Sequence, residues 1–267
     1  MVRIACVKYL NTAPLIEGLD ALRGVSLVRA APARLAGMLQ SGEADIALAS
    51  IVDAPRAGLA ILHAGMIGCD GPTLTVRLFS RVPFERITRL RADIESHTSV
   101  VLARLILGRV FGSRPGVIPF DAERESSADA DDALLLIGDK VVTSAPPSER
   151  FPHQLDLGKA WRDWTGLPFV YAAWMAKSER ADDPDIVLAS ALLDRQRRRN
   201  AMRLGWLARR HAPLHGWGEE LADRYLRDYL RFDLDERSRA GAARFLSEVS
   251  SLDPVPVVTP PATASAR

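Results

Sequence analysis

The sequence has the composition of an ordinary globular protein and enough length for one large domain or two lobes. Of its 267 residues, 48% are hydrophobic and 25% are charged, which excludes a fibrous protein and excludes disorder for most of the chain. Its 35 basic and 33 acidic side chains leave a formal net charge of +2. The average surface therefore gives no reason to expect a nucleic acid or an anionic membrane as a partner.

The amino end and the cysteines indicate a cytoplasmic protein. The opening stretch "MVRIACVKYL" carries Arg3 and Lys8 and does not contain the apolar core of roughly 7 to 15 residues that a secretory signal needs. No stretch approaches the roughly 20 apolar residues that span a bilayer. Cys6 and Cys69 each lie in or at the end of a predicted strand, which is typical of buried thiols in a reducing compartment.

The histidines give little reason to expect a metal. Among the five, only His211 and His215 have the spacing of ligands on one helix face. Pro213 lies between them and breaks the helix that would align them. We therefore expect no metal site.

Strands and helices alternate over the first 50 residues. The patterns predict strands at 2–7, 25–32 and 44–50, and helices at 13–23 and 32–42. This β-α-β-α-β order is typical of a parallel sheet that binds ligands at the carboxyl ends of its strands. Ser50 places a hydroxyl at one such end.

The stretch "LNTAPL" follows the first strand with almost no loop. Asn11 and Thr12 are residue types that cap helices, and Pro14 suits a first helical turn. A turn this short at a strand end also presents polar side chains to a ligand. The residues alone leave both interpretations open, because capping and ligand contact can coexist.

A second α/β unit follows the turn Asp70-Gly71-Pro72. Strand-like runs cover 59–72 and 74–83, and beyond them come an apolar helix, "TSVVLARLILGRVFG", a loop rich in Pro and Gly, and a strand, "LLLIGDKVV". We predict a first lobe formed by 1–82 and 173–253, a second lobe formed by 83–172, and a disordered tail at 254–267. Beyond about Pro184 the pattern is helical.

Three polar stretches are candidates for binding in the cleft between these lobes. "ESHTSV" places Ser96, His97, Thr98 and Ser99 at a helix start, where amides and hydroxyls suit a carboxylate or phosphate. Thr75 is a hydroxyl at a strand terminus. Gly138 and Asp139 lie in the later strand stretch, "LLLIGDKVV". Gly138 would allow a ligand to approach the backbone closely, and Asp139 would hold a ligand hydroxyl or cap a helix.

None of these stretches forms a recognisable catalytic motif. The basic runs "DRQRRRN" and "LARRH" are typical of a solvated helix face. From the residues alone we predict an α/β protein with a two-lobe fold of the periplasmic-binding-protein type II kind, an interlobe cleft for a small anion, and C-terminal helices.

Taken together, five stretches resemble the chorismate dehydratase family of the futalosine-type menaquinone pathway. They are "YLNTAPL", "GCDGP", "TSVVLARLIL", "LLIGDK" and "DLGKAWRDWTGLPFVYAAW", in order over roughly residues 3–177. The resemblance implies the fold expected above, no cofactor, and conversion of chorismate to 3-[(1-carboxyvinyl)oxy]benzoate and water. Aromatisation drives that reaction, so the enzyme's task is orientation and charge placement.

The resemblance also implies roles for particular residues. Asn11 falls on a family asparagine implicated in catalysis, and Thr75 falls where the family commonly has a functional serine. Ser96, Thr98 and Ser99 match a family "SRTSV" pattern and become expected carboxylate binders, with His97 in place of the arginine. No other base stands in these motifs apart from Lys8, so the hypothesis is that the substrate's enolpyruvyl carboxylate takes the ring proton.

Two alternatives remain at this point. A solute-binding protein or sensor would share the fold without any chemistry. The related enzyme that makes 1,4-dihydroxy-6-naphthoate in the same pathway is the other, although the quoted motifs suit the dehydratase better.

Overall fold

The computed structural model describes residues 1–122, 124–126 and 131–252. Its described residues form two five-stranded sheets with helices around them, which confirms the predicted α/β class. The predicted tail at 254–267 lies outside the described residues. Within those residues, no helix combines the length and the apolar character that a bilayer span requires.

Ten strands build the two sheets. They are β1 (Val2–Cys6), β2 (Val25–Arg29), β3 (Ile46–Ser50), β4 (Leu59–Cys69), β5 (Val76–Ser80), β6 (Arg89–Asp93), β7 (Gly116–Phe120), β8 (Ala133–Ile137), β9 (His153–Asp156) and β10 (Phe169–Lys177).

Nine α-helices accompany them in the described part of the chain. They are α1 (Ala13–Ile16), α2 (Pro32–Ser41), α3 (His97–Val110), α4 (Lys140–Thr143), α5 (Leu157–Thr165), α6 (Pro184–Ala201), α7 (Leu204–His211), α8 (Glu219–Arg224) and α9 (Glu236–Ser250). A π-helical turn, Tyr225–Tyr229, directly follows α8.

The first sheet has the order β2-β1-β3-β10-β4, and the second has the order β7-β6-β8-β5-β9. Strand β1 pairs in parallel with β2 and β3, as the alternation of strands and helices predicts. Strand β10 runs antiparallel between β3 and β4. The returning chain therefore closes the first sheet, and the first sheet is mixed rather than purely parallel.

The lobe boundaries differ from the prediction. Strand β5 pairs with β8 and β9 in the second sheet, whereas the sequence placed its residues in the first lobe. The chain thus crosses over between Cys69 and Val76, earlier than residue 83, and it returns to the first sheet at Phe169, before residue 173. A hydrophobic run predicts a strand, but it does not reveal which sheet the strand joins.

The helix predicted at 13–23 is also wrong in length, because α1 ends at Ile16. Gly18 takes a φ of 88°, a left-handed conformation that stops a helix. The backbone carbonyl of Glu17 accepts hydrogen bonds from the side chains of Gln196 and Asn200. The C-terminal helix α6 therefore fixes the turn that ends α1.

Two further elements differ from the prediction. The segment expected to be a Pro- and Gly-rich loop contains strand β7, which pairs with β6. The strand expected over 134–142 stops at Ile137, and Lys140 begins α4. Gly138 separates the two with a φ of 66°, which turns the chain.

Both cysteines are free and buried, as predicted. Burial raises the pKa of Cys6 to about 12 and that of Cys69 to about 12. Both are therefore thiols rather than thiolates near neutral pH. In the same core, Trp161 meets Trp164 and Phe169 edge-on.

A carboxylate at Asp45 joins the start of the first sheet to the residues that follow β10. It accepts hydrogen bonds from Arg3 Nε at 3.1 Å and from Arg180 at 2.9 Å. Burial acts to raise the pKa of Asp45, but the arginine hydrogen bonds outweigh it and hold that pKa below its ordinary value.

The hydrogen bonds of Asp45 with Arg3 and Arg180 predict that Asp45 contributes to the free energy of unfolding in a pH-dependent way. A carboxyl with a lowered folded pKa stabilises the fold above its unfolded pKa of about 3.9, and the contribution is lost as pH falls below that value. Urea unfolding should therefore show Asp45→Asn less stable than the parent at pH 7, with the gap closing toward pH 3. A gap that stays constant across this range would contradict the assignment.

Candidate functional site

A small cavity of about 60 Å³ is lined by strand ends and helix starts of both lobes. It brings together most of the residues predicted from sequence: Asn11, Ser50, Thr75, Ser96, Thr98, Ser99 and Gly138. Apolar side chains complete the lining, together with Thr73, Tyr9 and Tyr171. The cavity therefore lies where the alternating pattern predicts a ligand, at the carboxyl ends of strands such as β3.

The start of α3 forms one wall of this cavity. Ser96 Oγ caps the helix by accepting a hydrogen bond from the Ser99 amide at 3.1 Å, and Thr98 Oγ1 donates to the Tyr171 carbonyl at 3.1 Å. Among the described residues, none bonds the Ser99 hydroxyl. The Ser99 hydroxyl and the amides of the first turn are therefore the donors available to an anion.

Thr75 stands on a loop that is held by Asp156. The Asp156 carboxylate accepts from the amide of Thr73 at 3.0 Å and from that of Leu74 at 2.7 Å, and it also caps α5 by accepting from the Lys159 amide. Leu74 adopts a left-handed φ of 66°, which is unfavourable for a branched side chain. The Asp156 hydrogen bonds hold this conformation and so fix the position of Thr75.

Asn11 lies in a short 3₁₀ turn, Leu10–Thr12, which is separated from the end of β1 by three residues. Thr12 Oγ1 donates to Asn11 Oδ1 at 3.2 Å, which orients the amide. Thr12 itself is buried and does not line the cavity. It occupies the N-cap position of α1, but its side chain makes no capping hydrogen bond. Thr12 therefore supports Asn11 and is not in contact with the cavity.

His97 and Asp139 also differ from the prediction, because neither lines the cavity. The Nδ1 atom of His97 lies 2.9 Å from the Asp53 carboxylate, and the ring faces a separate groove of about 310 Å³ between α2 and α3. Side chains at a helix start point in several directions. The side chain of His97 points toward its partner in the other lobe, Asp53.

The Asp139 carboxylate is occupied by other protein groups. It accepts from the Leu10 amide at 3.3 Å and from Trp217 Nε1 at 3.1 Å, and it lies 2.8 Å from His215 Nδ1. Its side chain makes no capping hydrogen bond to α4. Asp139 therefore joins the turn of Asn11 to the C-terminal segment, and ligand binding is not its role.

Tyr9 is a cavity residue that the sequence analysis missed. Its hydroxyl donates to the Glu95 carboxylate, and Lys140 Nζ lies 2.6 Å from both Glu95 and Asp93. Burial raises the pKa of Tyr9. Burial also acts to raise the pKa of Glu95, but Lys140 outweighs it and the pKa falls below its ordinary value. The cluster thus pairs an ionised Glu95 with Lys140 and a neutral Tyr9.

Gly138 allows Tyr9 to occupy this position. A Cβ atom at Gly138 would lie 2.9 Å from carbon atoms of the Tyr9 ring, closer than side chains can approach. The close approach and the left-handed φ together require glycine here. The sequence predicts a ligand close to this glycine, whereas the neighbour is Tyr9, which follows β1 of the other sheet.

Among the described residues that line the cavity, none has a side chain that is ionised at neutral pH. Tyr171, like Tyr9, has its pKa raised by burial. A charged ligand would therefore meet only neutral donors: the amides at the start of α3, the amide of Asn11 and several hydroxyls. Such fixed donors stabilise negative charge strongly when water is excluded.

Solved structures with the same architecture are periplasmic-binding-protein folds, as predicted. The periplasmic aliphatic sulphonate binding protein of Escherichia coli aligns with a TM-score of 0.61 and 17% identity, over 92% of this chain and 85% of its own. A Candida albicans protein described as having the generic periplasmic binding protein fold aligns with a TM-score of 0.62 and 10% identity, over 96% and 92%. An Archaeoglobus fulgidus protein reaches a TM-score of 0.68 at 16% identity, over 93% and 96%.

Sequence comparison is more specific than this likeness of fold. The chorismate dehydratase of Thermus thermophilus is 31% identical over 257 residues, which is 89% of this chain and 91% of that protein. The profile of a protein family described as menaquinone biosynthesis matches residues 2–251. The chain therefore belongs to this menaquinone biosynthesis family and is a relative of chorismate dehydratase.

Proposed function

We propose that the protein is a hydro-lyase that converts chorismate to 3-[(1-carboxyvinyl)oxy]benzoate and water, in menaquinone biosynthesis by the futalosine pathway. The family and the Thermus thermophilus relative support this activity. The free thiols of Cys6 and Cys69 are typical of a reducing compartment, and we propose the cytoplasm as the location.

The observation that carries the proposal is the chemistry of the cavity lining. Chorismate is a dicarboxylate, and the cavity gathers neutral donors on Asn11, Thr75 and Ser99 beside the start of α3. Such donors hold carboxylates and oppose the movement of a bound ring. They also suit an elimination that needs orientation and charge placement, because aromatisation of the ring supplies the driving force.

The reaction breaks two bonds at adjacent ring carbons and leaves the ring itself intact. The C–H bond next to the hydroxyl-bearing carbon gives its proton to a base, and the C–O bond of the hydroxyl releases hydroxide. The proton and the hydroxide together form the water that leaves. The electron pair from the C–H bond completes the aromatic ring.

The base in this proposal is the substrate's own enolpyruvyl carboxylate. In the part of the chain that the structure describes, no histidine, lysine, aspartate or glutamate lines the cavity, and burial raises the pKa values of the lining tyrosines Tyr9 and Tyr171. Asn11 and Thr75 hold the carboxylate against the ring proton. Holding a reacting group at the correct distance replaces an encounter in solution and accelerates the transfer.

His97→Ala tests whether a side chain acts as the base instead. His97 Nδ1 is held at the Asp53 carboxylate, in the groove beside the cavity. We therefore expect kcat/KM for chorismate to stay within about tenfold of the parent, whereas loss of a general base costs up to about 10⁴-fold. Asp53→Ala is the matched control, because it removes the partner of His97 Nδ1. A loss near 10⁴-fold in His97→Ala alone would refute substrate assistance.

The activity itself is tested with purified protein and chorismate alone. Liquid chromatography with mass detection should show a product lighter by one water that co-elutes with 3-[(1-carboxyvinyl)oxy]benzoate. Calorimetry with chorismate runs in parallel. Binding without any product would instead favour a binding protein or sensor, and the absence of both would favour the enzyme that makes 1,4-dihydroxy-6-naphthoate.

A further inference from the structure

Tyr225 contacts Thr75 but is not among the described residues that line the cavity. It is the first residue of the π-helical turn Tyr225–Tyr229 and is almost completely buried. Its hydroxyl oxygen is 2.7 Å from Thr75 Oγ1, and its ring stacks on Trp217 with 4.9 Å between centroids. Because 150 residues separate it from Thr75, no local pattern indicates this pair.

The direction of this hydrogen bond follows from the chemistry of the two hydroxyls. Burial raises the pKa of Tyr225, and the hydrogen bonds of its hydroxyl with Thr75 and Asn11 oppose this only in part. The phenol therefore keeps its proton at neutral pH. A phenol is a stronger acid than an aliphatic alcohol, and it is accordingly the better donor. We assign Tyr225 as the donor and Thr75 Oγ1 as the acceptor on this ground.

This direction sets the role of the Thr75 hydroxyl. With one lone pair of Oγ1 taken by Tyr225, the Thr75 hydroxyl keeps its own hydrogen for another acceptor, and Thr75 lines the cavity. The backbone of Thr75 is fixed as well, since its amide donates to the Thr73 carbonyl at 2.8 Å and its carbonyl accepts from the Gly138 amide at 2.9 Å. Thr75 is therefore held as a donor at the cavity.

We propose that Tyr225 is a positioning residue of the dehydration, which orients and polarises the Thr75 hydroxyl so that it donates to a substrate oxygen. The inference rests on the proposed function. Tyr225 keeps its proton throughout, and no bond to it forms or breaks. A hydroxyl that accepts one hydrogen bond becomes a stronger donor in another. The bond from Thr75 to the substrate oxygen then strengthens as negative charge grows on the substrate in the transition state.

The π-helical geometry supports a dedicated role. A π turn is rarer and less favourable than an α-helical turn, and it occurs frequently at functional sites. Here it follows α8 without interruption and begins at Tyr225. The loop that carries Thr75 is held separately by Asp156. The distance between the two hydroxyls is thus fixed from both sides.

A double-mutant cycle on the full-length chain tests the inference. The variants are Tyr225→Phe, which keeps the buried ring, Thr75→Val, which keeps the shape of the side chain, and the double variant. Tyr229→Phe is the matched control, since it removes a hydroxyl from the same π turn. Steady-state kinetics with chorismate give kcat and KM separately, and thermal unfolding shows whether each variant folds.

We expect Tyr225→Phe to lower kcat by about tenfold, the effect of one hydrogen bond in the transition state, with little change in KM. In the Thr75→Val background the same substitution should cost clearly less than in the parent, because only the contact of the Tyr225 hydroxyl with Asn11 is then left to lose, and Tyr229→Phe should match the parent. An equal loss from Tyr225→Phe in both backgrounds, or no loss in either, overturns the inference. Absence of turnover by the parent protein overturns both the inference and the proposed function.

Discussion

Asn11→Ala is expected to lower kcat for chorismate by about 100- to 1,000-fold, the usual effect of removing one preorganised donor. The Asn11 amide lines the cavity, and its orientation is set by Thr12 Oγ1 at 3.2 Å. The lining offers no ionised side chain that could replace it. The loss should therefore appear in the chemical step and only weakly in binding.

Two measurements make this prediction specific. Thermal unfolding should show that Asn11→Ala stays folded, because Leu10 on one side and Ala13 on the other remain buried in the core. Thr12→Val, which removes only the hydroxyl that orients Asn11, should give a smaller loss of about tenfold. A Thr12→Val variant that loses as much as Asn11→Ala would mean that Asn11 acts through the turn and not through its own amide.

Gly158→Ala is expected to destabilise the fold by about 1 to 3 kcal/mol, the usual cost of overpacking a rigid site. A Cβ atom at this second residue of α5 would lie 2.6 Å from Cys69 Sγ and 2.7 Å from the Gly71 carbonyl oxygen. Both belong to the segment that leads to Thr75. The variant should consequently also lose turnover, since the loop must move away from its position.

Gly37→Ala is the matched control for Gly158→Ala. Gly37 is also a helical glycine, and a Cβ there would meet no atom within 4 Å. Alanine favours helix over glycine by about 0.8 to 1.0 kcal/mol, so this variant should be more stable than the parent. Urea unfolding should therefore shift in opposite directions for the two. Equal shifts would show that close packing under the Thr75 loop is not what requires glycine at 158.

Local patterns predicted much of the fold and of the cavity. The alternation of strands and helices in the first 50 residues predicted three strands that meet in parallel, and Asn11 and Ser50 follow two of them into the cavity. The hydroxyls before the apolar helix predicted the start of α3. These features depend on residues that are neighbours in the chain, so they can be predicted from short stretches of sequence.

What could not be predicted depends on pairs that are distant in sequence. Asp156 holds the Thr73 amide across 83 positions, and His97 meets Asp53 across 44. The stretch "DLGKAW" did contain a signal, since an aspartate before a helix is typical of a cap. The hydrogen bonds between Asp156 and the Thr75 loop, however, form only once the chain has folded. The same holds for β5, whose partners β8 and β9 lie much later in the chain.

The small size of the cavity has a consequence for how the protein exchanges ligands with solvent. At about 60 Å³, it is well below the roughly 300 to 1,000 Å³ of ordinary small-molecule sites. Its walls are joined across the two sheets by Tyr9 with Glu95 and by Thr98 with the Tyr171 carbonyl. A ligand of ordinary size therefore fits only if the two sheets move apart. Opening is thus a step of both loading and release.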